Sequence, residues 1–131
     1  MTYFSIDINP MGAVRMTQAG KFVKDNAKRY LSYKNVLGYE AKKHFKEPLN
    51  GPIEMIVVFY MQEPKKMPKG RTLPTVKPDI DNMVKGVMDS LNKIAWNDDN
   101  QVVKVSMTKL YAKQPRIYID VSEFSLMGVG E

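Results

Sequence analysis

Apolar and polar positions along this chain fall into six segments with readable periods. Tyr3 to Ile8 alternates, with Phe4, Ile6 and Ile8 on one face and Ser5 and Asp7 on the other, which predicts a strand. Asn9-Pro10-Met11-Gly12 ends it, and residues 13–22 read as a mobile basic loop. From about Val23 to Phe45 the period becomes helical, with Ala27, Tyr30, Leu37, Ala41 and Phe45 three, four or seven apart. Ile53 to Met61 is apolar on both faces, so this strand is predicted to be central. Ile80, Met83, Val84, Val87, Met88 and Leu91 give a second, cleaner amphipathic helix. Val103-Val105-Met107 and Ile117-Ile119-Val121 are two more alternating strands. The Gln114-Pro115 turn lies between them, which predicts a hairpin.

The resulting order, β-α-β-loop-α-β-β, predicts an α+β fold: a small mixed sheet covered by two main helices. The 131 residues make a single domain, with a tail expected to fray from about Ser125. Between the second strand and second helix, residues 62–78 carry four prolines and a glycine, so this stretch is a long loop.

Composition removes many chemistries. There is no Cys, which excludes disulfides, thiolate metal sites and Cys nucleophiles, and only one His, His44, so no multi-His metal site exists. Any metal must be held mainly by oxygen, pointing to Mg²⁺, Mn²⁺ or Ca²⁺. No segment has the length of a membrane span and no targeting signal is visible, so a cytoplasmic setting without membrane contact is the expectation.

Charge is distributed unevenly. The net charge is +6. Residues 1–78 carry 14 basic and 6 acidic side chains, whereas residues 79–99 carry 2 basic and 5 acidic. A compact carboxylate cluster inside a basic chain fits a metal site working on a phosphate backbone. Arg15, Lys21, Lys24, Lys65, Lys66, Lys69, Arg71 and Lys77 are the candidate contacts to such a backbone, on charge alone.

The acidic segment reads KPDIDNMVKGVMDSLNKIAWNDDNQV. Pro78 directs the helix to begin just after it, which makes Asp79 the natural N-cap and puts Asp81 and Asn82 in the first turn. The plain reading is helix capping. Asp81, Lys85 and Asp89 follow at i, i+4 and i+8, and the plain reading there is exposed ion pairs worth about 0.3–0.5 kcal/mol each. Gly86 costs this helix about 1 kcal/mol relative to Ala, and close approach of a backbone or ligand is one explanation. Asp98-Asp99 closes the segment, with Trp96 expected to pack beneath it. Spacing alone does not fix whether Asp99 reaches Asp79 and Asp81. If it does, three carboxylates converge, and a hard dication would relieve their repulsion. An EF-hand is excluded because Val84 stands at the position that needs Gly and Ser90 at the one that needs Glu. Tyr30, Tyr33 and Tyr39 are open to base stacking or a dimer face, and His44 reads as a surface or cap residue.

KPDIDNMVKGVMDSL followed by WNDDNQV resembles the signature of RusA-type endodeoxyribonucleases, the Holliday-junction resolvases often carried by phages and prophages. The strong match runs from Lys77 to about Val105. The resemblance implies a homodimer that binds four-way DNA junctions and nicks two strands symmetrically, using Mg²⁺ with Mn²⁺ as a substitute. The family's essential aspartates match Asp79, Asp81 and Asp99, its essential lysine matches Lys85, and Asn82 and Asp98 match neighbouring motif positions. Two other readings compete: a non-catalytic basic DNA-binding protein, and a metal-dependent nuclease for other branched DNA.

Overall fold

The structure is a computed structural model that describes residues 1–14 and 24–126. The expectations for the segment around Arg15 and Lys21 and for the tail beyond Leu126 lie outside the described residues. The elements are β1 (Thr2–Ile6), α1 (Lys24–Lys42), β2 (Ile53–Gln62), α2 (Ile80–Leu91), a 3₁₀ turn (Asp99–Gln101), β3 (Val102–Ala112) and β4 (Arg116–Glu123). This is the α+β order read from the sequence.

The four strands form one mixed sheet ordered β1-β4-β2-β3. β2 is central. It pairs antiparallel with β4 and parallel with β3, and α2 supplies the crossover that a parallel pair needs. β1 closes the other edge, antiparallel to β4. The predicted β3–β4 hairpin does not form. The link after Ala112 carries the chain past the end of β2, so β2 lies between the two strands. Central places go to strands whose apolar face can be covered completely. Ile53, Met55, Val57 and Phe59 of β2 and Ile117, Ile119 and Val121 of β4 are fully buried, whereas Val103 and Met107 of β3 stay exposed at the edge.

One face of the sheet and the inner stripes of both helices make the core. Tyr30, Tyr33, Leu37, Ala41 and, just past the helix end, Phe45 pack from α1; Met83, Val84, Val87 and Leu91 pack from α2. Tyr30 and Tyr33 are thus core residues, unavailable to bases, while Tyr39 is exposed with Lys43 over its ring. The His44 ring stacks on Phe4 at 4.6 Å between centroids, a packing role. The helices cross where α2 has Gly86. A Cβ there would lie 3.4 Å from the Tyr30 ring, which accounts for a glycine inside this helix. Among the described residues no helix is long and apolar enough to cross a membrane.

Candidate active site

The basic loop between β2 and α2 is irregular, as its prolines require, but it is tied at both ends. The Glu63 N–H donates to the Ala112 carbonyl at 3.0 Å. At the far end the Lys109 ammonium of β3 donates to the carbonyls of Val76 (2.6 Å) and Pro78 (2.8 Å). Lys109 pairs in register with Phe59, so it stands on the helix-covered face of the sheet, directly under the start of α2. Thr75, Val76, Lys77, Asp79, Ile80, Asp81 and Lys109 line a groove of about 540 Å³. Lys65, Lys66, Lys69 and Lys77 are exposed along the loop, and Arg71 is half-buried. Lys24 opens α1.

Asp79 occupies the N-cap of α2 with extended backbone (φ −66°, ψ 144°), yet its carboxylate makes no capping hydrogen bond. Capping is therefore not what this side chain does. Asp81 sits in the first turn, where unpaired N–H groups and the helix dipole favour negative charge, and both carboxylates are exposed. Asn82 ties this turn to the N-terminal segment. Its side-chain amide donates to the Ala13 carbonyl at 3.1 Å, and its own carbonyl accepts from the Ala13 N–H at 3.1 Å. Gly12 passes so close that a Cβ there would lie 2.7 Å from the Asn82 amide nitrogen.

Asp98 and Asp99 divide the work of the second motif. Asp98 caps the 3₁₀ turn, accepting from the Asn100 N–H at 3.0 Å. Gln101 completes that turn. Its carbonyl oxygen accepts from the N–H groups of Asn97 (2.7 Å) and Asp98 (2.9 Å), and its amide donates to the carbonyls of Leu49 and Gly51. Asp99 is left for other uses. It accepts from the indole N–H of the fully buried Trp96 at 2.8 Å, so Trp96 packs beneath the turn as expected. Burial raises the Asp99 pKa above the usual carboxylate range; the Trp96 bond and Lys85 pull it down, while Asp89 and Asp98 push it further up.

The charges that act on Asp99 are thus Asp98 beside it and Asp89 and Lys85 of α2. Lys85 reaches Asp89 at 3.5 Å, and Asp89 accepts from the buried Tyr30 hydroxyl at 3.0 Å. The three-way gathering of Asp79, Asp81 and Asp99 is not seen: among the described residues no three carboxylates form a group able to hold a metal ion. Asp79 and Asp81 stay at the opening turn, Asp99 feels the charges of Asp89 and Lys85, and Lys85 stands one turn from Asp81 on the same helix face. The donor chemistry of Asp79 and Asp81 fits a hard divalent ion that draws its remaining ligands from water and phosphate, the usual habit of Mg²⁺. An all-protein cage is not present among the described residues.

Sequence reasoning undervalues three residues. Asp89 reads as a surface ion pair, although Gly86 one turn before it marks a close approach. Gln101 stands three after Asp98, the spacing of a capping box. Lys109 continues the apolar face of β3, and a charge at a core-facing strand position signals a partner.

These elements define a class: a small α+β protein with free carboxylates at one helix start, a lysine one turn on, and a basic loop leading into both. The chain matches the family model Endodeoxyribonuclease RusA over residues 7–122, and it belongs to that family. It is 35% identical over 127 residues to the uncharacterized protein YqaN of Bacillus subtilis (strain 168), covering 88% of this chain and 87% of that one. It is 29% identical over 75 residues, 56% of each chain, to the crossover junction endodeoxyribonuclease rusA of Lactococcus phage r1t.

Proposed function

We propose that this chain is a divalent-metal-dependent endodeoxyribonuclease that resolves Holliday junctions by paired symmetric nicks, in DNA recombination and repair. The observation that carries the reading is the family match across residues 7–122, which takes in an opening turn of α2 whose Asp79 carboxylate does no capping. The activity in the phage relative's name supports the choice of a junction as substrate.

Asp79 and Asp81 would hold the ion, Mg²⁺ or Mn²⁺; Asp99 matches the third essential aspartate of the family motif, although it does not group with the other two in this structure. When bound, the ion supplies Lewis-acid activation of water and neutralises charge on the phosphate. Lys85 opposes negative charge developing on the phosphoryl group under attack. Lys65, Lys66, Lys69, Arg71 and Lys77 hold backbone phosphates, and Arg15, Lys21 and Lys24 are further candidates on charge alone. Paired cuts at two related strands call for two sites related by a twofold axis, hence a homodimer.

The rival reading is a non-catalytic basic DNA-binding protein. Cleavage of a synthetic four-way junction with Mg²⁺ separates the two. Asp79→Asn, Asp81→Asn and Lys85→Ala should each lower nicking by about 100-fold or more while junction binding persists. Equal nicking by parent and all three variants would remove the site assignment, and no nicking by the parent would remove the enzyme. Flap and linear duplex controls decide whether the substrate is the junction.

A further inference from the structure

We propose that Tyr30 and Asp89 are positioning residues for Lys85: the buried Tyr30 hydroxyl fixes the Asp89 carboxylate, which holds the Lys85 ammonium away from Asp81. This rests on the reading of Lys85 as a reacting-site residue.

Lys85 needs such a hold. Its side chain is 67% exposed and long, so it would otherwise sample many rotamers. Left free, it also has a second acidic neighbour, Asp81, four residues back on the same helix face. Pairing there would occupy a carboxylate that the site needs open. An ordinary exposed ion pair is too weak to decide between these partners. Asp89 is no ordinary surface carboxylate. The oxygen that lies 3.5 Å from the Lys85 nitrogen is the same Oδ2 that accepts from Tyr30 at 3.0 Å. Tyr30 is 1% exposed and comes from a different helix, so it cannot follow Asp89 out into solvent. Burial, then the bond to Asp89, raises the Tyr30 pKa far above the usual phenol range, and the hydroxyl stays a donor. Gly86 completes the device, since the Tyr30 ring reaches Asp89 only by passing over a residue without a side chain. Lys34 lies over the Tyr30 ring at 4.7 Å, and the ion pair that Asp89 makes is with Lys85.

The test uses the full chain with Tyr30→Phe, Asp89→Asn and Asp89→Glu, each alone and with Lys85→Ala. Tyr30→Phe keeps the ring over Gly86, so folding is preserved, and thermal melts check this. In single-turnover nicking at saturating Mg²⁺, Tyr30→Phe and Asp89→Asn should each slow the maximal rate by about 10-fold, the scale for losing an orienting partner. The junction Kd should not change, and Asp89→Glu should recover part of the rate. On the Lys85→Ala background the same changes should matter less than about twofold, because the residue they position is gone. A second readout does not need activity. Acylation of Lys85 by an amine-reactive ester, followed by mass spectrometry, should run about two- to fivefold faster in Tyr30→Phe and Asp89→Asn than in the parent, the worth of an exposed ion pair, with Lys65 unchanged. Unchanged Lys85 acylation in both variants overturns the proposal, as does full additivity of the rate losses with Lys85→Ala. If the parent does not nick at all, the nuclease reading fails, and acylation alone decides whether Tyr30 and Asp89 hold Lys85.

Discussion

Two aspartates at helix N-caps are used in opposite ways here. Asp98 accepts a backbone N–H in its turn, whereas Asp79 makes no capping bond. Asp98→Ala should therefore lower stability by about 1 kcal/mol and leave nicking measurable. Asp79→Asn should leave the melting temperature in place while nicking is lost. Asp99 has its own stability sign. Its pKa is raised on folding, so its favourable contribution is complete in acid, below the unfolded-state pKa, and is lost as pH rises through the raised value. Asn keeps an oxygen for the Trp96 N–H. Asp99→Asn should then melt no lower than the parent at neutral pH, and nicking should still fail; a clear drop in melting temperature would contradict the burial assigned to this carboxyl. Gly12 presents a steric case. Gly12→Ala pushes the Asn82 amide aside and breaks its bond to the Ala13 carbonyl, and denaturant unfolding should show a loss of about 1 kcal/mol, the scale of one hydrogen bond.

At the scale of elements, α2 was legible throughout. Its apolar positions follow one stripe, and the helix spans Ile80–Leu91 as that stripe predicts. β2 was legible as central because both its faces carry apolar side chains. The pairing of β3 was not. Alternation tells which residues share a face, but not which neighbour a strand chooses, and a short link reads as a hairpin even when it passes over a third strand. Lys109 depends on that pairing. Only with β3 parallel to β2 does its ammonium arrive beneath Val76 and Pro78. Lys109→Met should cost about 1 kcal/mol in thermal unfolding, the scale of a lost hydrogen bond, and should lower nicking by more than that stability loss explains. Nicking equal to the parent's would mean the loop finds its place without this tie.

Over the whole molecule, a basic body of charge surrounds one acidic segment. The loop lysines Lys65, Lys66 and Lys69 face solvent, which leaves their ammonium groups open to phosphates. Replacing all three together by Gln should weaken junction binding and flatten its salt dependence, by about 0.9 in the log–log slope for each phosphate no longer neutralised. Fluorescence anisotropy at several salt concentrations measures this, and an unchanged slope would place the DNA elsewhere.

Local chemistry was written in the chain itself. The helix stripes, the strand alternation, the proline-bound loop, the absence of thiolate and multi-His ligands, and the D-x-D-N and D-D-x-Q-V spacings all act over a few residues, so one sequence suffices to read them. Partnership was decided by tertiary structure. Asp99 feels the charges of Asp89 and Lys85 across the gap between helix and turn, Asp89 is gripped by a tyrosine 59 positions away, and Lys109 meets the loop across 31 and 33 positions. Contacts at that separation follow from which faces bury one another, and the packing of the whole sheet against both helices selects them.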